Sequence, residues 1–183
     1  FHLEERSKRF TVQLPAGETR DDRVITNIAV IGAGVMGAGI AQWSSARAQD
    51  VILKDISTDA LAKGMQAIGH VYSEAVKRRI FTRREAQAGM DRVFCTTEDV
   101  PLRSVDLVIE AAVEKMALKK KIFQSLAAQV EEETILASNT SALSITELSE
   151  SVRHPERVVG IHYFNPVHRM QLVEIVKGRH TSA

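Results

Sequence analysis

The sequence has little of what marks several other classes of protein. Cys95 is its one cysteine among 183 residues, so no internal disulfide can form, and a reducing compartment such as the cytoplasm is expected. No apolar run approaches the ~20 residues that a helix needs to cross a bilayer. Neither sign of charge dominates, because 24 Lys and Arg residues stand against 23 Asp and Glu residues. The sequence therefore argues against a disulfide-rich secreted domain or a membrane span, and its charge does not favour a nucleic-acid partner.

The length and composition fit one packed domain with an appendage. Hydrophobic residues make up 44% of the chain and charged residues 26%, which is enough for a folded core. Residues 1–24 are polar and highly charged around Pro15 and Gly17, which predicts a linker or strap from a preceding domain, followed by one domain over residues 25–183. The chain starts without Met or a signal pattern and ends without a terminal motif, which predicts two cuts in a longer polypeptide. A processed or trimmed small protein is the alternative.

From Ile25 onward, apolar strand-like runs alternate with helix-like runs. The predicted strands are residues 27–31, 51–53, 93–96, 107–109, 134–137, 158–164 and 172–176. The predicted helices are residues 36–48, 58–80 and 116–130, with further helix starts at Thr82, which opens a capping box, and at Ser144. Strand–helix–strand repetition with uniformly apolar strands predicts a doubly wound, Rossmann-like α/β domain with a mostly parallel sheet. The last two strands would form an antiparallel hairpin at its edge.

A glycine pattern, G-x-G-x-x-G, occupies residues 32–37, directly after the first strand and before a helix. Gly32 would permit the tight turn, Gly34 would leave room for a pyrophosphate, and Gly37 would let the helix pack closely on the strand. Val35 and Met36 lie at the start of that helix, where free backbone N–H groups and the helix dipole favour a diphosphate. The context of strand, loop and helix predicts a dinucleotide site.

An acidic residue follows this loop at the spacing that a dinucleotide site requires. Asp55 lies 23 residues after Gly32, at the end of the second strand. Its carboxylate can accept hydrogen bonds from both ribose hydroxyls and would repel a 2′-phosphate, which favours NAD over NADP. The alternative is a strand–helix–strand unit with incidental glycines and a solvated Asp. The sequence thus predicts NAD as the cofactor, and no metal site is assigned.

Two isolated polar residues interrupt the last two apolar strands. His162 and Glu174 have numbers that sum to 336, so a hairpin centred on His168 would make them cross-strand partners on one face. A buried Glu is costly without a partner, and an imidazole is its natural partner. A carboxylate that holds one ring nitrogen leaves the other free as a general base. A purely structural buried pair is the alternative.

Small polar side chains follow the strand that ends near residue 137. They occupy residues 138–141, and strand carboxyl ends face the ligand crevice in a doubly wound sheet. Hydroxyl and amide groups there suit a nicotinamide ribose or a substrate oxygen. A turn that caps the helix starting near Ser144 is an alternative, and the two roles are compatible.

Several of these segments together resemble the 3-hydroxyacyl-CoA dehydrogenases. The similar segments are GAGVMGAGIA at residues 32–41, SNTS at 138–141, HYFNP at 162–166 and LVEIV at 172–176. The resemblance runs from about residue 27 to residue 178. The segment NPVHRM at residues 165–170 more closely resembles the bacterial multifunctional α-subunit, in which an enoyl-CoA hydratase domain precedes this one. That resemblance implies that the charged first 24 residues connect the two domains.

The resemblance also implies a reaction and its residues. An NAD-dependent enzyme of fatty-acid β-oxidation would oxidise (3S)-3-hydroxyacyl-CoA to 3-oxoacyl-CoA. His162 would be the base that takes the 3-hydroxyl proton, Glu174 would orient and support His162, and Ser141 would hydrogen-bond the substrate oxygen. Asp55 would bind the adenosine ribose.

Further cofactor contacts are implied by the same family match. Glu114, Lys119 and Asn165 stand at positions that contact the cofactor in the family, and Ala111 and Asn139 are expected to line the same crevice. The family has a following helical domain that completes the acyl pocket and supplies a further catalytic Asn, and no such domain is present in this sequence. We therefore expect the chain to bind NAD but to turn over acyl-CoA poorly by itself.

Other partners and other functions remain as expectations. The resemblance implies the helical domain, the hydratase domain and a thiolase subunit as partners, in the cytoplasm. One alternative is a related dehydrogenase acting on a sugar or polyol phosphate, although such enzymes would place a Lys base in the following helical domain. Another is a module that senses NAD without chemistry, in which the loss of His162 and Glu174 would leave function intact.

Overall fold

The computed structural model describes residues 23–182, so the predicted linker lies almost wholly outside the described residues. Within that range the chain forms a seven-stranded sheet. The strands are β1 (Asn27–Ile31), β2 (Asp50–Lys54), β3 (Val93–Thr96), β4 (Leu107–Glu110), β5 (Ile135–Ser138), β6 (Val158–Tyr163) and β7 (Val173–Lys177). All seven strands that the sequence predicts are present, and no bound is shifted by more than one residue.

Helices separate most of these strands. They are α1 (Val35–Ser45), α2 (Thr58–Lys77), α3 (Arg83–Asp91), α4 (Met116–Ala127) and α5 (Ile145–Ser149). Thr82 caps α3 through the predicted capping box with Glu85, and Ser144 caps α5. Of the helices in the described part of the chain, none is long and apolar enough to cross a membrane.

The predicted ends of three helices are wrong, and backbone conformation explains two of them. The helix predicted to residue 130 ends at Ala127. The sequence predicts helices to residues 48 and 80, whereas α1 ends at Ser45 and α2 at Lys77. Ala48 and Arg79 have positive φ angles of 63° and 59°, the left-handed conformation that terminates many helices. Glycine usually occupies such positions, so Ala and Arg give no sequence signal for the end of a helix.

The strand order confirms a doubly wound domain. It is β3-β2-β1-β4-β5-β6-β7, parallel throughout except for the antiparallel pair β6–β7. The chain builds outward from β1 in one direction through β2 and β3, and in the other through β4, β5 and β6. A crevice at the carboxyl ends of the strands is expected at this switch between β1 and β4.

The core lies on both faces of the sheet. Ile28 and Val30 of β1 point into a cluster with α1 and α2, while Ala29 points into a second cluster that includes Phe123 of α4. All four side chains are buried. Because neighbouring residues of a strand face opposite sides, a strand buried on both faces must be apolar at every position. This explains the continuous apolar strands of the sequence.

At the opposite end of the sheet, Asp106 joins the start of β1 to the start of β4. Its Oδ2 accepts hydrogen bonds from the backbone N–H groups of Thr26 and Asn27, both at 2.8 Å, and from the Thr26 hydroxyl at 3.2 Å. The bond from the Asn27 amide is the largest of the causes that lower the pKa of Asp106. The carboxylate form is therefore the one that stabilises the fold.

Replacing Asp106 by Ala is expected to lower the free energy of unfolding by about 1–3 kcal/mol at pH 7. Because the folded pKa lies below the unfolded value of about 3.9, this contribution is present above that pH and is lost as the pH falls through the folded pKa. Urea unfolding at pH 7 measures the loss of unfolding free energy, and urea unfolding at pH 3 measures how much of that loss disappears in acid. The exposed Asp91, which accepts a hydrogen bond from Gln87, provides the control D91A, with a smaller loss expected. An equal loss in both variants would contradict the assignment.

Candidate functional site

The glycine loop has the close backbone contacts that its pattern predicts. Gly32 has a φ of 106°, and a Cβ there would lie 2.8 Å from the carbonyl oxygen of Ala111. A Cβ on Gly37 would lie 1.8 Å from the carbonyl oxygen of Gly32, so α1 can approach β1 only with glycine at this position. Gly34 is the N-cap of α1, and a Cβ there would meet no described atom within 4 Å. The loop is thus packed tightly on the protein side and open at Gly34.

Asp55 holds the glycine loop as well as standing beside it. Its Oδ2 accepts a hydrogen bond from the Ala33 amide at 2.7 Å, and its Oδ1 accepts one from the Ser57 amide at 2.9 Å. A carboxylate oxygen has two lone pairs, so both oxygens retain acceptor capacity for a ligand. The sequence predicts only a ribose contact for Asp55, and the structure adds that this carboxylate fixes the loop.

His162 and Glu174 are cross-strand partners in the β6–β7 pair, as their numbers predict. His162 Nδ1 lies 2.9 Å from Glu174 Oε2, a contact in which Nδ1–H donates to the carboxylate and Nε2 keeps its lone pair. The expectation that this pair is buried is wrong for this chain, because the side chains are 22% and 51% exposed. Both lie at an edge of the sheet with no further strand beyond β7 among the described residues. The two side chains therefore form their contact while they remain partly exposed to water.

The segment after β5 brings several predicted residues into one crevice. Thr140 donates a hydrogen bond to Glu114 through its hydroxyl, and the Ser141 amide donates to the same oxygen at 3.2 Å. The side-chain oxygen of Asn139 accepts a hydrogen bond from the Tyr163 amide at 3.0 Å, which ties the segment to β6. Glu114 thus organises the loop that carries Ser141.

A buried charge network lies behind Glu114, and sequence reasoning missed half of it. Lys119 and Glu110 are both fully buried, and Lys119 Nζ lies 2.8 Å and 2.7 Å from the two Glu110 oxygens. Ser138 donates to Glu110 at 2.6 Å, and the Ala112 amide donates at 2.7 Å. One signal was available, because Glu110 is an isolated acid at the end of an apolar strand, as Asp55 is.

The position of Lys119 differs from the predicted direct contact with the cofactor. Its ammonium group has no exposed surface, and it lies 3.3 Å from Glu114 Oε2. Glu114, with 40% of its side chain exposed, stands between Lys119 and the crevice. Lys119 can therefore act on a ligand only through Glu114 in this conformation.

Glu114 carries its negative charge at neutral pH. Burial by itself would raise the pKa of this carboxyl, but the hydrogen bond from Thr140, the charge and hydrogen bond of Lys119, and the Ser141 amide together lower it. A half-exposed carboxylate held in this way is a fixed negative charge at the carboxyl ends of β4 and β5.

The remaining predicted residues are distributed around the same edge of the sheet. Val35, Ser141 and Asn165 are exposed, while Met36 and Ala111 are half-buried. The Ala111 amide donates to the Ile31 carbonyl at 2.8 Å, so Ala111 lies directly beside the glycine loop. Apart from the buried Lys119 and Gly37, the predicted residues lie on accessible surface or at its margin.

A basic cleft of about 500 Å³ opens between α1, α2 and the loop that joins β6 to β7. Its basic lining residues are Arg47, His70, Arg78, His168 and Arg169. Burial lowers the pKa of His168, and the charges of Arg169 and Arg78 lower it further. Three arginines, which stay charged at neutral pH, outnumber the one acidic lining residue, Glu74, so the cleft carries positive charge.

Sequence comparison assigns the chain to a family. The profile of the 3-hydroxyacyl-CoA dehydrogenase NAD binding domain matches residues 27–183. A fatty acid oxidation complex subunit alpha from Acinetobacter baylyi is 39% identical over 86% of this chain and 22% of its own length. A 3-hydroxybutyryl-CoA dehydrogenase from Bradyrhizobium diazoefficiens is 42% identical over 85% of this chain and 53% of its own length.

Comparison with solved structures also finds 3-hydroxyacyl-CoA dehydrogenases. A crystal structure of 3-hydroxybutyryl-CoA dehydrogenase from Escherichia coli K12 superimposes with a TM-score of 0.85 at 39% identity, over 88% of this chain and 34% of that chain. The Ralstonia eutropha (S)-3-hydroxybutyryl-CoA dehydrogenase gives 0.84 at 37% identity, over 87% of this chain and 56% of that chain. The chain thus spans about a fifth to just over half of these relatives. It belongs to the 3-hydroxyacyl-CoA dehydrogenase NAD-binding domain family.

Proposed function

We propose that this chain is the cofactor-binding half of an enzyme that oxidises (3S)-3-hydroxyacyl-CoA to 3-oxoacyl-CoA with NAD⁺ in fatty-acid β-oxidation. The observation that carries the proposal is the His162–Glu174 pair, 2.9 Å apart, near the carboxyl end of β6. The glycine loop lies at the carboxyl end of β1 in the same sheet. A general base and a dinucleotide loop at one edge of a parallel sheet are what a hydroxyl-oxidising dehydrogenase requires.

The residues present fit NAD. Gly34 leaves open space where a pyrophosphate must approach, and as the N-cap it brings no side chain to occupy the first N–H groups of α1. Asp55 at the end of β2 has acceptor capacity for ribose hydroxyls, and its charge disfavours a 2′-phosphate. Glu114, Asn139 and Asn165 would contact the other half of the cofactor beside β4, β5 and β6.

In the proposed reaction, His162 acts as the general base. When bound, NAD⁺ supplies the acceptor for the hydride that leaves C3 of the substrate. Nε2 of His162 takes the proton of the 3-hydroxyl group as the carbonyl forms, and Glu174 holds Nδ1–H so that Nε2 faces the substrate. Ser141 would donate a hydrogen bond to the substrate oxygen.

The basic cleft supports a substrate with phosphate groups. Arg47 lies 3.7 Å from the Trp43 ring, which holds its guanidinium group at the cleft wall. Gln42 lines the same cleft, and its buried side-chain oxygen has no hydrogen-bond partner among the described residues. The arginines suit the phosphates of coenzyme A, and the cleft adjoins the loop that follows His162.

The proposal extends to the organisation of the complete protein. Residues 25–183 would form the NAD-binding domain, residues 1–24 would connect it to a preceding hydratase domain, and a helical domain would follow and close the acyl pocket. A thiolase subunit would be a further partner. The relative named as a fatty acid oxidation complex subunit alpha supports this organisation, and the lone cysteine supports a cytoplasmic location.

Cofactor binding is the direct test of the proposal. Calorimetric titration of the chain should show NAD⁺ binding, with weaker binding of NADP⁺. Replacing Asp55 by Asn should weaken NAD⁺ binding about tenfold or more, because both a ribose acceptor and the anchor of the glycine loop are weakened. The control is D59N at an exposed acid in the first turn of α2, for which native affinity is expected. Equal binding of NAD⁺ and NADP⁺, or no binding of either, would contradict the proposal.

A further inference from the structure

The buried Glu110–Lys119 pair has no part in the reaction proposed above. Its two side chains are fully enclosed between β4, β5 and α4. Burying two charges carries a large desolvation penalty before their attraction is counted, and apolar residues of similar volume would avoid that penalty. The network is fully hydrogen-bonded, since Glu110 also accepts from Ser138 and from the Ala112 amide. The stability of the fold therefore does not by itself explain why this position holds a buried ion pair.

The distances indicate how the pair divides its charge. Lys119 Nζ lies 2.8 Å and 2.7 Å from both Glu110 oxygens, but 3.3 Å from the nearer Glu114 oxygen. The carboxylate of Glu110 therefore compensates most of the positive charge of the Lys119 ammonium group. The three groups together carry one net negative charge, which resides on Glu114 at the crevice. Without the charge of Glu110, the ammonium group would neutralise Glu114 instead.

We propose that Glu110 is a positioning residue that keeps Glu114 as an uncompensated negative charge, which shifts the relative affinity of the site toward the oxidised cofactor and away from the reduced one. This inference rests on the proposed function. With this strand order, the adenosine half of a bound cofactor would lie beside β2 and the nicotinamide half beside β4 and β5, where Glu114 lies. The nicotinamide ring is positively charged in NAD⁺ and neutral in NADH, so a nearby carboxylate favours NAD⁺.

The test compares dissociation constants for NAD⁺ and NADH on this chain, by calorimetry for NAD⁺ and by nicotinamide fluorescence for NADH. The variant Glu110→Gln retains an acceptor for Lys119 and the Ala112 amide but removes the charge. We expect it to raise the ratio of the NAD⁺ constant to the NADH constant about five- to tenfold. The control variant Glu131→Gln removes an acid paired with Arg103 at the opposite end of the sheet, and its ratio should equal that of the wild type.

The double variant Glu110→Gln with Lys119→Met separates charge from packing. It removes both charges and leaves Glu114 alone, so the ratio should return to the wild-type value. If Glu110→Gln by itself does not fold, the further change Glu114→Gln in the double-variant background still tests whether the charge of Glu114 sets the relative affinity. The ratio should then rise about five- to tenfold, and an unmoved ratio would overturn the inference. A ratio unmoved by Glu110→Gln, or shifted equally in the double variant, would overturn the inference alone. Absence of NAD⁺ and NADH binding by the wild type would overturn the proposed function with it.

Discussion

Replacing His162 by Ala is expected to lower kcat for 3-hydroxyacyl-CoA oxidation about 10²–10⁴-fold, which is the usual contribution of one acid–base group. NAD⁺ affinity should stay near the native value, because the glycine loop and Asp55 lie on other strands. Replacing Glu174 by Gln should give a smaller loss, since the amide can still contact Nδ1 but supplies no charge for the protonated ring. Turnover should be measured on the complete product of the gene that encodes this chain.

A second His–Glu pair in the molecule provides a matched control. His154 Nδ1 lies 3.0 Å from Glu156 Oε1, a contact of the same kind, but it precedes the amino end of β6 rather than occupying the end near the crevice. The variant H154A should retain native turnover. If H162A and H154A were equally active, His162 would not be the base.

The exposure of His162 and Glu174 also affects the activity expected of the isolated chain. Low-dielectric, preorganised surroundings make an acid–base pair effective, whereas Glu174 is 51% exposed here. We therefore expect the isolated chain to reduce acetoacetyl-CoA with NADH scarcely faster than its H162A variant. Robust reduction by the isolated chain would contradict this expectation.

Replacing Gly37 by Ala is expected to abolish stable folding or to lower the free energy of unfolding by at least about 3 kcal/mol. The added Cβ would lie 1.8 Å from the Gly32 carbonyl oxygen and 2.9 Å from its carbon. Both are backbone atoms of the glycine loop, so neither can rotate away as a flexible side chain could. Thermal or urea unfolding measures the loss, and NAD⁺ binding should be lost with it.

Substitutions at two other glycines distinguish an effect on folding from an effect on NAD⁺ binding. A Cβ on Gly34 would meet open space, so G34A should unfold within about 1 kcal/mol of the wild type yet bind NAD⁺ much more weakly, because the methyl group would occupy the approach of the pyrophosphate. Gly69 in α2 would place its Cβ 3.9 Å from Met90, and G69A should be neutral or stabilising by about 0.5–1 kcal/mol. Native NAD⁺ affinity in G34A would argue against the loop as the diphosphate site.

The fold was predictable from the sequence because its signals are local. Each strand is a short apolar run with a definite end, and the parallel order follows from the alternation with helices. The cross-strand partners His162 and Glu174 were predictable because an antiparallel register depends only on where the hairpin is centred. The ends of α1 and α2 were not predictable, since a left-handed Ala48 and Arg79 terminate them without a glycine.

The candidate site was predictable in part. The glycine loop and Asp55 lie close together in sequence, within one strand–helix–strand unit, and the structure joins them through the Ala33 amide. The Glu110–Lys119 pair escaped prediction because the burial of a charge depends on what covers it. In the sequence, Lys119 is one of three consecutive lysines in α4, and only packing against β4 and β5 distinguishes it from its exposed neighbour Lys121.

The sequence by itself therefore determined the doubly wound sheet, the glycine loop with its acid and the pairing of His162 with Glu174, because each depends on spacing along one or two adjacent elements. Tertiary structure decided which charges are buried, where the basic cleft opens and how far Glu174 is exposed. These properties depend on surfaces that several distant segments form together. A residue's type and spacing do not record the dielectric surroundings that the folded chain gives it.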